Sequence, residues 1–401
     1  MPPLAGGDRS KPLVSGFPSH STQFSAFNQL FEIARDSLEA GLIERAEGTY
    51  LASGGRKGAL LHTREFCLSA RGLLGLGHEN VVRQHATRLI ETRRPSDGLV
   101  AHALKPGGRK DALQPSYFST HGTTDADANS LLIRVVADLH HHAPDREWLE
   151  RHRSALQDIL DHALSRSQST RRLIKQNRFS DWQASVAREG ETSYVNVVFA
   201  SALHRAEALG LIVPSGAKSF AEMARERFLD RPTGLLRAHA ELDLVSLDAN
   251  LLALDEGVAL APYDEGGRLC YDRLKTHPLW TRAKIPGTAS FPDYPTPWMS
   301  VRARLFGRRH DHDRRVWSWL AALAAKCAVR VGDVEEAMRI FVSLEELARR
   351  DGVISEVFEP LPHLPTARQL IFRSVIPCSW SAALTIEAID FFSQFAKREA
   401  S

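Results

Sequence analysis

VWSWLAALAAKCAV (residues 316–329), followed after Gly332-Asp333 by VEEAMRIFVSLEEL (residues 334–347), is the stretch that decides the fold class. In both halves apolar residues recur at steps of three and four, which gathers them on one face of a helix. Glycine between them ends the first helix, since it tolerates φ > 0 and weakens helix interiors. Two helices joined by so short a turn form a hairpin.

The same periodicity runs outward in both directions. Phe27, Leu30, Phe31, Ile33 and Ala34 give one stripe, and Val81, Val82, Ala86, Leu89 and Ile90 another. Leu131 to Leu139, Leu149 to Leu164, Tyr194 to Leu209, Phe220 to Phe228, Leu247 to Leu260 and Ala382 to Phe395 continue it. Strand-like alternation is rare and short. Eleven or twelve helices are expected, in pairs split by Gly77, by Ala143-Pro144-Asp145, by residues 211–216 and by Gly332-Asp333. Helical pairs at this spacing build either an open solenoid or a closed ring.

Composition fits a folded domain: of 401 residues, 43% are apolar and 25% charged, with a net charge of +3. That charge and the lack of a basic block give no argument for nucleic acid. No window approaches the roughly 20 apolar residues of a membrane span. Residues 1–22, rich in Pro, Gly and Ser, read as a loose arm without a signal-peptide core, and 23–398 as one domain of a cytoplasmic protein. Cys67, Cys270, Cys327 and Cys378 have no metal-ligand spacing and read as buried thiols.

Residues 100–124, 261–313 and 352–377 break the helical rhythm. Such long connections are usually functional or disordered. Their aromatic residues, among them Phe118, Tyr263, Trp298 and Phe358, favour ordered loops gathered at one mouth.

Chemistry is expected where acids stand beside aromatics. Phe179-Ser180-Asp181-Trp182 places a carboxylate next to an indole, and Ser355-Glu356-Val357-Phe358-Glu359-Pro360 places two acids in the last long loop. A sugar needs an aromatic platform for its apolar face, and its glycosidic oxygen needs a proton as it leaves. The bland alternatives are a helix cap for the first and a solvated acidic loop for the second. Thr63-Arg64-Glu65-Phe66, Thr124-Asp125-Ala126-Asp127 and Asp248-Ala249-Asn250 also open helices, where acids favour the dipole. Their repetition would face one mouth in a ring. His310-Asp311-His312-Asp313 has the wrong spacing for metal on one helix face, and His140-His141-His142 reads as solvated surface.

Taken in order, these motifs resemble the six-hairpin glycosidases, and more closely the clan of inverting α-glycosidases that includes trehalases and mannosylglycerate hydrolases. The segments are Leu60 to Phe66, Pro95 to Val100, Asp127 to Leu132, Phe179 to Ser185 with Arg188, Val316 to Trp319, and Glu356 to Pro360 with Cys378 to Ala383. The resemblance implies an all-α (α/α)6 toroid of helical hairpins with long loops at one mouth. It implies Asp181 as general acid and Glu356 as general base, with Glu359 as the competing base. Arg64, Glu65, Asp127, Arg188 and Asn250 become substrate contacts, and Trp182, Trp317 and Trp380 pocket walls. In the early segment Arg64-Glu65 stands where the family has a Trp-Asp pair. The implied activity is exo-acting, inverting hydrolysis of a small α-linked glucoside or similar sugar, with no metal or cofactor. The implied partner is a small oligosaccharide or glycoside, and a homo-oligomer is compatible. A fructoside or β-glycoside hydrolase, a sugar epimerase on the same fold, and a non-catalytic helical scaffold are the alternatives.

Overall fold

The structure, a computed structural model, describes residues 27–52, 60–106, 113–167, 173–214, 218–258, 265–305, 311–367 and 374–399. The expected N-terminal arm, residues 1–22, and His310 lie outside them. Among the described residues the helices are α1 (Asn28–Glu39), α2 (Thr63–Gly75), α3 (Glu79–Glu91), α4 (Ala128–His142), α5 (Arg146–Ser165), α6 (Ser193–Ala208) and α7 (Lys218–Phe228). They continue as α8 (Leu247–Glu256), α9 (Glu265–Thr276), the short α10 (Pro278–Thr281) and α11 (Val301–Leu305), α12 (Ser318–Arg330), α13 (Val334–Asp351) and α14 (Ser379–Glu399).

Helices α2, α4, α6, α8, α12 and α14 each touch the next, and α14 closes back on α2. This is a ring of six inner helices. Outside it α3, α5, α7, α9 and α13 each pack on the inner helix that precedes them, and α1 packs on α14. The chain is therefore the (α/α)6 toroid, and α1 with α14 makes the hairpin that joins the two ends of the ring.

The sequence explains which helix goes where. Every residue of α12 from Ser318 to Val329 is buried, including five alanines. A helix apolar all round belongs inside, whereas α13, with its apolar stripe and charged outer face, belongs outside. Small residues let inner helices approach: a Cβ added at Gly72 on α2 would stand 2.6 Å from the Ala383 Cα on α14.

One expectation is corrected. Residues 261–313 are not loop throughout, because α9 lies within them and buries Cys270, Tyr271 and Leu274. Its opening Glu265-Gly266-Gly267 has poor helix propensity, and packing overrides that.

All six inner helices also contribute charged residues to one buried layer. Arg71 meets Asp138 at 2.8 Å and Glu387 at 3.1 Å, Arg134 meets Glu256 at 2.5 Å, and Lys326 meets Asp255 at 2.8 Å. Arg205 joins Asp138 and Glu256. Burial pushes the Glu256 carboxyl up, but Arg134, Arg205 and Arg71 outweigh it and hold the group well below the usual carboxylate range. Eight residues separate Thr63 from Arg71, so at about 1.5 Å per residue this layer lies roughly 12 Å along the helix from the α2 start. It is the floor of the barrel.

Candidate active site

The inner helices start at the other mouth. Several follow directly on short strands: residues 61–62 precede α2, 242–246 precede α8 and 316–317 precede α12. Strand 61–62 pairs with 103–106, and 316–317 with 357–358. These pairings bring distant loops to the helix starts, where they enclose a cavity of about 330 Å³. That is near the lower end of the range for small-molecule sites.

Three carboxyl groups line the cavity: Glu65, Asp125 and Glu356. Arg64, the indoles Trp182, Trp317 and Trp380, and the imidazoles His62, His102, His121 and His312 line it too. Trp182 packs edge to face on Trp317 at 5.2 Å, and His312 stacks on Trp317 at 5.1 Å. Trp182 is fixed further by its Nε1, which donates to Asp248 Oδ2 at 2.6 Å.

Arg64 organises one wall. Its guanidinium donates to Asp127 at 2.7 and 2.8 Å and pairs with Asp125 Oδ1 at 2.9 Å. The other Asp125 oxygen bonds His102 Nδ1 at 2.9 Å. Burial pushes the Asp125 carboxyl up, but Arg64 and His102 outweigh it and hold it below the usual range. Asp127 lies behind Arg64 without exposure and also accepts from the Tyr194 hydroxyl at 3.0 Å. For Asp127 burial dominates and its pKa is raised despite Arg64.

Glu356 is placed by the strand pairing of its neighbour Val357 with Trp317. Its Oε2 accepts from the Val375 N–H at 3.1 Å. Glu65 sits in the first turn of α2, and its Oε2 is buried with no hydrogen-bond partner. Among the described residues no group of three or more His, Cys, Asp or Glu could hold a metal ion.

The structure thus brings together Arg64, Glu65, Trp182, Trp317, Glu356 and Trp380 of the expected site residues. The others do not line the cavity. Asp181 is 1% exposed; its Oδ2 meets Arg188 at 2.7 Å and Gln176 Nε2 at 2.8 Å, and its Oδ1 accepts from the Gln183 N–H at 2.9 Å. It is not a helix cap either, since α6 starts only at Ser193. Arg188 is fully buried with it. Glu359 pairs with Arg315 at 2.8 Å.

Asn250 is a clamp. Its Oδ1 accepts from the Leu236 N–H at 2.9 Å, and its Nδ2 donates to the Leu236 carbonyl at 3.0 Å. Asn129 on α4 and Asn196 on α6 hold loops in the same two-way manner. These amides satisfy backbone groups that loops leave unpaired. Sequence reasoning missed His102 and His121 as cavity residues, and it quoted His62 and Asp125 within helix-start segments without singling them out. His102 lies two residues after the Pro95 to Val100 segment, and that proximity was the signal available for it.

No family model and no curated protein matches the sequence. Solved structures do. A rhamnosidase from Klebsiella oxytoca with rhamnose bound is 15% identical, covers 96% of this chain and 66% of its own, and superposes with a TM-score of 0.66. A mannosylglycerate hydrolase from Thermus thermophilus in complex with Tris is 15% identical, with 89% of this chain and 99% of its own covered and a TM-score of 0.64. A glycosidase variant in complex with glucose is 16% identical over 93% of this chain and 99% of its own, with a TM-score of 0.59. These likenesses show a shared fold.

Proposed function

We propose that this chain, which has the fold of the six-hairpin glycosidases, is a glycoside hydrolase that removes one sugar from a small α-linked glucoside or similar substrate with inversion. The observation that carries the reading is the cavity itself, which three carboxyl groups and three indoles line together. Indole faces match the apolar face of a sugar ring. The carboxylates and Arg64 match its hydroxyls. The described neighbours, a rhamnosidase and a mannosylglycerate hydrolase among them, act on glycosides and support the class.

Glu356 is the proposed base, taking a proton from water as it attacks the anomeric carbon. Glu359 is the weaker choice because Arg315 holds it outside the cavity. Asp181 is poorly placed to protonate a leaving oxygen, since Arg188, Gln176 and Gln183 engage its carboxylate and it does not line the cavity. A non-catalytic scaffold would have no need for so deep a carboxylate-lined pocket.

One second reading has a specific observation behind it. Four imidazoles line the cavity, and proton transfer at a sugar carbon, as in an epimerase, would use such groups. Incubation with a panel of α- and β-glycosides and free sugars, followed by proton NMR, separates the two. Release of an inverted anomer supports the hydrolase. An epimer without bond cleavage replaces it with the epimerase.

A further inference from the structure

We infer that a second cavity, formed outside the inner ring by α3, α5 and the hairpin 42–51, is a binding site for a neutral sugar. The inference goes beyond the hydrolase reading and uses none of the residues of the candidate active site.

The second cavity measures about 450 Å³, and no residue lines both cavities. Strand 48–51, paired with 42–45, contributes Tyr50 to it. Gln84 Oε1 accepts from the Thr49 N–H at 3.0 Å and so ties the hairpin to α3. Gln84, Arg88 and Glu91 follow one another at steps of four and three, which sets them on one face of α3. Trp148 and Arg151, three residues apart on α5, line the cavity with them.

Several polar groups here have bonding capacity left over. Tyr50 is only 3% exposed, yet its hydroxyl bonds to no described residue. Burial, reinforced by Glu47, pushes its pKa up, so the hydroxyl keeps its proton. Arg88 uses Nη2 on the Leu113 carbonyl at 2.5 Å. Its Nε stands 4.0 Å from Glu47 and its Nη1 4.0 Å from Glu91. A direct bond between such charges spans about 2.7–2.9 Å. A hydroxyl both accepts and donates, so it fits between Nη1 and the Glu91 carboxylate where the two do not bond directly.

The charges favour a neutral ligand over an anion. Three guanidinium groups line the cavity, but Arg83 pairs with Asp145 at 3.3 Å and Arg151 with Glu147 at 2.8 Å. Arg88 stands between two glutamates, which an arriving anion would also meet. A sugar brings adjacent hydroxyls and no charge. The Trp148 indole adds apolar surface and is held by its Nε1, which donates to Thr87 Oγ1 at 2.9 Å.

The test reads the indole N–H signals of the whole chain by NMR during titration with glucose, mannose or rhamnose. Trp148 reports on the second cavity, and Trp182, Trp317 and Trp380 report on the first. Trp148→Phe assigns the first of these signals. With at least one sugar the Trp148 signal should shift and saturate. Tyr50→Phe and Glu91→Ala should each weaken that titration by about 3–10-fold while the other three indoles respond as in the wild type. A Trp148 signal that stays still up to about 0.1 M of every sugar would overturn the proposal, because hydration then suffices for these side chains. A shift that both variants leave unchanged would overturn it too, and so would a response to inorganic phosphate alone. Turnover plays no part in the readout, so loss of the hydrolase reading leaves this test intact.

Discussion

The Asp181 carboxylate meets the Arg188 guanidinium at 2.7 Å, and both side chains are out of solvent. Burial works against the Arg188 charge, yet Asp181 outweighs it and raises its pKa. Two groups so placed hold the 176–188 loop closed beside the cavity. Removing one charge leaves the other buried and unpaired. Asp181→Asn should therefore cost about 3–5 kcal/mol of stability, read from denaturant unfolding. A variant as stable as the wild type but without turnover would return Asp181 to the chemistry.

Glu356→Gln keeps size and shape and removes the base. Turnover of a glycoside should fall by about 10²–10⁴, with the unfolding midpoint close to that of the wild type. Glu359→Gln should be milder, since Arg315 also pairs with Asp311 and is not left alone. If the two variants exchange these outcomes, Glu359 is the base.

Lys326 sits 3% exposed in the charged floor between Asp255 and Glu387. Lys326→Met should destabilise by about 3–5 kcal/mol, because two carboxylates then share fewer cations. The loss should be seen in thermal melts. A melt unchanged from the wild type would show that the floor relaxes around the change.

His85 on α3 stacks on Phe66 at 3.8 Å, with both ring nitrogens buried and unpartnered. Burial lowers its pKa from 6.5 to about 3. Below pH 6.5 the unfolded chain binds this proton and the folded chain does not, so stability falls as the pH falls towards 3. Between about pH 6.5 and about pH 5 this group alone should remove roughly 2 kcal/mol. His85→Leu should flatten that part of the stability profile relative to the wild type. Parallel profiles for the two chains would count against a neutral, dry His85.

Periodicity alone made the hairpins legible. Apolar steps of three and four at 316–329 and 334–347 mark α12 and α13, and the same steps mark most of the long helices. α9 escaped because glycines open it. The cavity was half legible: Arg64, Glu65, Trp182, Trp317, Glu356 and Trp380 line it as expected. The rest was not, because polar residues at helix starts look alike in sequence. Asp125 and Asp127 are two residues apart, yet the first lines the cavity and the second lies behind Arg64.

What the sequence determined by itself was the set of helical hairpins and the clustering of polar residues at the inner-helix starts. Helical burial repeats along the chain, so local pattern suffices to read it. The tertiary structure alone decided which of those polar residues face a ligand. Asn250 bonds the strand 235–239 at Leu236, Asp181 bonds Arg188 within its own loop, and His102 bonds Asp125, so each is committed by a partner that no helical period predicts. A side chain outside a regular helix has no period to fix its direction. Its direction is set by the hydrogen bond or ion pair that folding brings within reach.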